Sequence, residues 1–340
     1  MAARRIDVAY ITRPVSIAYL TGFHADPHER LMALVVRAAE ATLIVPSLEE
    51  EKANAQASEA NVVAWRDGED PYELVARALA GNVELAVEKE HLSLHAAEVI
   101  TSRSGASELV DVGSEIRRLR LAKNADEIEK LSRAAAITDD AFVRVLARMH
   151  GGMSEVDVAF LFGSVIGDLG AALAFNTLVQ SGPNSAMPHL EPSSRKLARG
   201  DLVLLDFGAA WAGYKADSTR MAVVGEPSAR QREIHAVVLR AHDAAIAAAR
   251  PGVTTGDVDA AARRVIEDAG YGKEFFHRVG HGIGLEGHED PSLDPGSRTV
   301  LEPGVYIPGW GGVRIEDDLV VTDDGCRVLT KADRSLHIVS

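Results

Sequence analysis

Short apolar runs alternate with helix-like polar segments through the first part of the chain. Between Ile6 and about Gly113, six runs have the length and composition of strands: DVAYI, LMALVV, ATLIVP, VVAW, ELAVE and ELVDV. Three segments between them open with Ser or Asp-Pro, as helices often do: SLEEEKANAQASEA, DPYELVARALAG and SLHAAEVITSR. This alternation predicts a small α/β domain.

A long helix is the next predicted element. Asn124 and Glu127 have the spacing of a capping box, and apolar residues recur at helical spacing from there to roughly Met149. A chain of 340 residues fits about two domains. We place the boundary near Leu119, which gives an N-terminal domain of residues 1–118 and a C-terminal domain of residues 119–340.

The second half of the chain has a different pattern. Helix-like stretches occur at 154–169, 228–249 and 255–269, and Thr254 with Asp257 is a second capping-box signal. The strands around them are joined by turns rich in Gly and Pro, and one hairpin, residues 201–224, reads DLVLLDFGAAWAGYKADSTRMAVV. Hairpin-linked strands with helices grouped beside them predict an α+β domain.

Composition excludes several classes of partner and location. The net charge of −14 argues against nucleic acid or an anionic membrane as a main partner, because both attract a basic surface. The single cysteine, Cys326, cannot form an intramolecular disulfide, which fits a reducing compartment. We also find no signal peptide and no apolar run of bilayer length, so we expect a cytoplasmic protein with no membrane partner.

Five polar residues lie in or beside apolar strands, where they would be costly to bury. Taken singly, each has an ordinary explanation as an edge, turn or structural residue. Together, four carboxylates and one imidazole form a ligand set suited to a pair of divalent cations such as Mn²⁺, Co²⁺, Fe²⁺ or Zn²⁺. Two such ions would also balance the four negative charges. The five residues are Asp206, Asp217, His281, Glu302 and Glu316.

Five motifs carry a resemblance to a known family. In chain order they are SGPNSAMPH, LLDFGAAWAGYKADSTR, GHGIGLEGHEDP, EPGVYIPG and GVRIEDDLVV. They resemble the signatures of the Xaa-Pro peptidases, which include prolidases and aminopeptidase P and are related to methionine aminopeptidases and creatinase. Residues 1–118, with YLTGF and LIVP, resemble the N-terminal domain of that family. The resemblance implies a pita-bread C-terminal domain that hydrolyses the bond before proline.

The same resemblance implies roles for individual residues. Two divalent metal ions, Mn²⁺ or Co²⁺ first and Zn²⁺ as a further option, would be held by Asp206, Asp217, His281, Glu302 and Glu316. The catalytic residues would be Glu302, which would transfer a proton, together with His189 and His288. A small peptide with proline in second position would be bound by His189, His288 and Arg314.

The segment before Glu302 departs from the family pattern as we read it. The family has two stretches of the Glu-Pro-Gly type here, in the manner of LEPGMVFTVEPGIYIPG, whereas this chain has a single VLEPGVYIPGW. Glu302 follows His281 by only 21 residues. Either the loop after HEDP is shorter, or the strand leading to Glu302 is collapsed into the preceding turn. In the second case Arg298 would lie on the same strand face as the ligand, where a cation is unfavourable. We keep Glu302 as the ligand, because EPGVYIPG is intact.

Several functions remain open from the sequence. A dipeptidase acting on free Xaa-Pro is our first expectation, and an aminopeptidase acting on longer peptides is the second. A methionine aminopeptidase is disfavoured, since residues 1–118 would be superfluous. A metal-free relative that only binds its ligand is the alternative from another class. We expect a homodimer, in which HADPHER at 24–30 could reach the partner's active site, although a polar loop is the simpler explanation.

Overall fold

The structure is a computed structural model that describes residues 6–79, 84–106, 108–292 and 297–340. It separates into two compact units, Met1–Arg120 and Leu121–Ser340. This division lies two residues after the boundary that we place at residue 118. Within the described ranges, no helix combines the length and the apolar composition needed to cross a membrane.

The N-terminal unit contains one mixed sheet. All six predicted strand runs form its strands: β1 (Val8–Ile11), β2 (Ala33–Arg37), β3 (Ala41–Pro46), β4 (Asn61–Trp65), β5 (Glu84–Val87) and β6 (Glu108–Asp111). They lie in the order β4-β3-β2-β1-β5-β6, and only the β1–β2 and β2–β3 pairs are antiparallel. Alternate residues of β1 enter two different apolar clusters, so the sheet is buried on both faces. That burial explains why its strands read as continuous apolar runs.

Five helices accompany this sheet: α1 (Pro14–Thr21), α2 (Glu50–Gln56), α3 (Pro71–Leu79), α4 (Leu94–Ser104) and α5 (Gly113–Leu121). The three predicted helical segments correspond to α2, α3 and α4. Our prediction missed α1, although Pro14 at its first position and Gly22 at its end, with φ 76°, are ordinary boundary signals.

The C-terminal unit has four long helices, all at predicted positions: α6 (Ala125–Leu146), α7 (Glu155–Asp168), α8 (Ala229–Ala248) and α9 (Thr255–Asp268). Each begins with a complete capping box, and those of α6 and α9 confirm the two predicted from sequence. These reciprocal side-chain bonds satisfy backbone N–H groups that have no partner in the first turn.

The strands of this unit are short and form four sheets. They are β7 (Ala172–Leu173), β8 (Leu178–Ser181), β9 (Leu202–Phe207), β10 (Ala209–Trp211), β11 (Tyr214–Lys215), β12 (Ser218–Val224), β13 (Gly280–Gly282), β14 (Arg298–Leu301), β15 (Gly304–Ile307), β16 (Gly311–Arg314), β17 (Asp317–Val321), β18 (Cys326–Val328) and β19 (His337–Val339). The sheet orders are β11-β10-β7, β19-β12-β9-β8, β13-β14-β17-β18 and β15-β16. Helices and antiparallel strands are segregated, so the α+β prediction is confirmed.

Strand β9 explains why the hairpin of residues 201–224 reads as apolar. Leu202 and Leu204 pack in a cluster with residues of α8 and α9, while Val203 and Leu205 pack in a second cluster with residues of α6 and α7. Asp206 follows the Leu204 face, at the end of the strand. The turn into β10 requires Gly208, because a Cβ there would lie 1.9 Å from the carbonyl oxygen of Ala216.

Candidate active site

The five predicted metal ligands lie in or directly beside strands of different sheets. Asp206 is the penultimate residue of β9, and Asp217 immediately precedes β12. His281 is the middle residue of β13, Glu302 follows β14, and Glu316 precedes β17. Residue pairing connects these positions, since Thr219 of β12 pairs with Asp206 and also forms an isolated bridge with Glu316. Residues that are far apart in sequence therefore meet in one place.

Three of the five form a compact buried cluster. One donor atom from each of Asp217, His281 and Glu316 lies within 4.8 Å of the other two. His281 Nε2 is 3.9 Å from Asp217 Oδ2. Spacing of this kind leaves room for a cation among the three donors.

The other two predicted ligands, Glu302 and Asp206, both lie next to Arg314. Glu302 Oε1 lies 3.9 Å from His281 Nε2, and its Oε2 lies 3.8 Å from Arg314 Nε. Asp206 Oδ2 accepts a hydrogen bond from Arg314 Nη2 at 2.5 Å. All five predicted ligands are thus brought together by the fold.

The imidazole of His281 is oriented by its own backbone neighbour. Its Nδ1 donates to the carbonyl oxygen of Gly282 at 2.9 Å, which leaves the lone pair on Nε2. Burial lowers the pKa of His281, so the ring is neutral near pH 7. A neutral ring with a free Nε2 is the form that binds metals.

The protein itself provides few hydrogen-bond donors and little positive charge to the carboxylates of this cluster. Burial, and then the charge of neighbouring carboxylates, raises the pKa of Asp217 and of Glu316 well above the ordinary value. Burial also raises the pKa of Asp206, even with Arg314 beside it. Asp206 Oδ1 and Asp217 Oδ1 accept no hydrogen bond from the described residues. Buried anionic oxygens without donors fit bound cations.

Arg314 is the buried cation of this group. Its Nε donates to Thr219 Oγ1 at 2.9 Å, and its Nη1 donates to the Tyr306 hydroxyl at 3.3 Å. Although burial by itself would lower the pKa of Arg314, the surrounding Tyr306 and acids raise it well above its ordinary value. The guanidinium therefore stays charged and offsets one of the four negative charges.

His189 and His288 border the cavity that leads to the cluster. This cavity of about 610 Å³ is also lined by Glu302, Arg314 and the segment from Ala186 to Leu190. The ring of His288 stacks on that of His281, with 3.9 Å between centroids. Desolvation and the neighbouring His281 lower the pKa of His288 to about 4, so His288 is neutral near pH 7.

The strand before Glu302 is formed, so it is not collapsed into the preceding turn, which was the second of our two explanations. Strand β14 pairs with β13 on one side and with β17 on the other. Arg298 does lie on this strand, but its Nη2 bonds Asp318 Oδ2 at 2.8 Å, and this contact neutralises its charge. The shortened segment between His288 and Glu302 lies partly outside the described residues. Its sequence at 293–296 is LDPG, which stands as far before EPGVYIPG as the first Glu-Pro-Gly stretch of the family stands before the second. Our reading of a single stretch was therefore wrong, because Asp stands where we looked for Glu.

Comparison with known proteins identifies the family. The profile of metallopeptidase family M24 matches residues 129–323, and that of the creatinase/prolidase N-terminal domain matches residues 1–122. The chain is 40% identical to a Xaa-Pro dipeptidase of Lactobacillus helveticus in an alignment 349 positions long, which covers 98% of this chain and 95% of that protein. The chain belongs to metallopeptidase family M24.

Solved structures place this M24 protein in the pita-bread fold predicted from its motifs. The Xaa-Pro dipeptidase from Bacillus anthracis superposes with a TM-score of 0.93 at 34% identity, covering 99% of this chain and 96% of that one. The X-Pro aminopeptidase from Thermotoga maritima superposes with a TM-score of 0.90 at 32% identity, covering 98% of each chain. Membership of M24 also implies divalent metal, which the unsatisfied buried carboxylates fit.

Sequence reasoning missed several residues of this M24 site. The Tyr306 hydroxyl accepts from Arg314 and lies 3.1 Å from His277 Nε2, whose ring is held by Nδ1 donating to the Arg278 carbonyl at 2.7 Å. Arg278 lines the cavity and is exposed, with no side-chain partner among the described residues. Their signal was FFHRVG immediately before the predicted ligand His281. Thr219, which donates to Glu316 Oε2, lies in the KADSTR motif, but nothing in the sequence separately indicated its role.

Proposed function

We propose that this protein is a metal-dependent dipeptidase that hydrolyses Xaa-Pro dipeptides. The observation that carries the proposal is the buried convergence of Asp217, His281 and Glu316 next to Glu302 and His288, which line an open cavity. The names of the Lactobacillus and Bacillus relatives support the substrate class.

We infer two divalent ions, with Mn²⁺ or Co²⁺ ahead of Zn²⁺. They would be held by Asp206, Asp217, His281, Glu302 and Glu316. When bound, such ions polarise a carbonyl and lower the pKa of a water molecule. Oxygen donors with one imidazole suit these metals, and no thiolate lies in the donor set.

Proton transfer and stabilisation of the oxyanion would be performed by side chains that line the cavity. The bond before proline is a tertiary amide, so the departing proline nitrogen must gain a proton. Glu302 is suited to take a proton from the attacking water and deliver it, since its side chain is 18% exposed and lines the cavity. His189 and His288 border the same space, and the neutral His288 can donate a hydrogen bond to the developing oxyanion.

Arg278 favours a dipeptide over a longer peptide. A free dipeptide carries its C-terminal carboxylate directly on the proline. Arg278 places an exposed guanidinium on the cavity wall, where it can pair with that group. Arg314 is less suited to this role, because its donors already serve Asp206, Thr219 and Tyr306. An aminopeptidase of longer peptides is the second candidate, supported by the Thermotoga relative.

The homodimer and the cytoplasmic location also belong to this proposal. The loop 24–30 in the N-terminal unit carries His28 at φ 52° and is the candidate segment to reach a partner. Light scattering at micromolar concentration tests the dimer, and a monomeric mass would contradict it.

The proposed function is tested by metal removal. Protein stripped with a chelator should lose Xaa-Pro hydrolysis, and Mn²⁺ or Co²⁺ should restore it. Elemental analysis of the restored protein should find metal in the same samples. Full activity of the stripped protein would contradict the proposal, and failure to bind metal would favour the metal-free relative that only binds its ligand.

A further inference from the structure

Arg220 lies behind the site, on the opposite face of β12 from Thr219. Successive side chains of a strand point to opposite faces, so Thr219 faces the cluster and Arg220 faces away. The Arg220 side chain is completely buried, with 0% exposure. A buried arginine must satisfy its donors within the protein.

All five N–H groups of Arg220 are used. Nη1 donates to the carbonyl oxygens of Glu316 at 2.6 Å and Thr219 at 3.0 Å. Nη2 donates to Asp317 Oδ1 at 2.7 Å and to the Ala332 carbonyl at 2.9 Å, and Nε donates to the same carbonyl at 3.1 Å. A planar guanidinium can meet these acceptors simultaneously, whereas a lysine ammonium has three donors at a single point.

Asp317 neutralises Arg220 and is itself fully engaged. Its Oδ1 also accepts from Thr330 Oγ1 at 2.7 Å, and its Oδ2 accepts from Arg334 Nε at 2.5 Å. His242 Nε2 lies 3.1 Å from the same Oδ2. The ion pair is therefore held by contacts from several other parts of the chain, and Asp317 cannot shift without breaking them.

The peptide groups of Glu316 are held on both sides. Its N–H donates to the Thr219 carbonyl at 3.2 Å, while its carbonyl accepts from Arg220. Its carboxylate accepts from Thr219 Oγ1. Arg220 thus fixes the two residues, Thr219 and Glu316, whose side chains meet at the cluster, yet it touches neither Asp217 nor His281 in any described contact.

We propose that Arg220 is a positioning residue, which together with Asp317 holds the Glu316 carboxylate in place for metal binding. This inference rests on the proposed function, because it takes Glu316 as a ligand. It assigns a role to the second acid of IEDD and to the last residue of KADSTR, which the proposed reaction does not use.

The test measures Co²⁺ binding to chelator-stripped protein, by calorimetry and by visible absorption of the bound ion. Arg220→Lys keeps the charge but cannot reproduce the bonds to both carbonyls. The double variant R220M/D317L removes the ion pair as a unit, which buried sites often tolerate in folding. Arg334→Met is the matched control, because it removes one bond to Asp317 and leaves the Glu316 contacts intact. Thermal unfolding of the metal-free proteins is recorded in parallel.

We expect Arg220→Lys and the double variant to bind Co²⁺ at least tenfold more weakly than the wild type, with altered absorption. The Arg334→Met variant should bind within about twofold to threefold of the wild type, whatever its loss of thermal stability. Wild-type affinity and absorption in Arg220→Lys would overturn the positioning role. Equal losses in Arg334→Met and Arg220→Lys would also overturn it, because they would indicate a general effect on stability. Failure of the wild type to bind Co²⁺ would instead contradict the proposed function.

Discussion

Replacing Asp217 by Asn should stabilise the metal-free protein at pH 8 and destabilise the metal-loaded protein. Asp217 is buried, its Oδ1 accepts no hydrogen bond from the described residues, and its neighbours include Glu316 and Asp206. Burial and these like charges raise its pKa well above the ordinary value. Asparagine has nearly the same shape and no charge, so it removes the repulsion without leaving a cavity.

The sign of the pH dependence follows from the raised pKa. The folded state holds the proton on Asp217 more tightly than the unfolded state does. Its contribution to stability is therefore complete below the ordinary carboxyl pKa and is lost as the pH rises towards the folded pKa. Within that window, one such group changes the unfolding free energy by about 1.4 kcal/mol per pH unit. The stability of the wild type should fall relative to that of D217N with this slope.

Metal should reverse the order of stability. An ion at 100 times its dissociation constant adds about 2.7 kcal/mol to the unfolding free energy of a protein that binds it only when folded. D217N loses a ligand and should gain much less. The assay is urea unfolding at pH 5 to 8, with chelator or with excess Mn²⁺, and the exposed Asp323→Asn serves as control. Parallel pH curves for D217N and the wild type, or equal stabilisation of both by Mn²⁺, would refute the reasoning.

Two further substitutions test the proposed roles at the cavity. Glu302→Gln should lower kcat by about 10²-fold to 10⁴-fold, as expected for loss of a general acid–base group. A kcat within tenfold of the wild type in steady-state kinetics would contradict proton transfer by this residue. Arg278→Gln should raise KM for a Xaa-Pro dipeptide by about tenfold to a hundredfold, since a charge-assisted hydrogen bond contributes about 1.5–3 kcal/mol. The same change should barely affect the Xaa-Pro amide, and equal effects on the two substrates would show that Arg278 does not bind the carboxylate.

Local signals in the sequence were sufficient for most of the secondary structure. The capping boxes at Asn124 and Thr254 begin α6 and α9 in the structure, because these bonds involve residues only three apart. The apolar runs of the N-terminal unit became strands because both faces of their sheet are buried. Helix α5 was missed because its segment is strongly charged and carries few apolar residues.

The candidate site shows where local reasoning ends. The five predicted ligands could be selected because each is a costly group beside an apolar run, and because the motif order resembles that of a known family. The partners of the neighbouring arginines could not be predicted in this way, although the motif resemblance did select Arg314 itself. Arg314 reaches Asp206 across 108 residues, and Arg220 reaches Glu316 across 96 residues. Nothing in the local pattern of either arginine indicates which carboxylate or carbonyl it meets.

The amino-acid order alone determined most of the helices and strands and the set of residues suited to metal, because periodicity, capping and residue chemistry act over a few positions. Only the tertiary structure decided which acids lie together, which are held by arginine and which are left without donors. Electrostatic interactions depend on distance and burial, and both arise when strands distant in sequence are packed side by side.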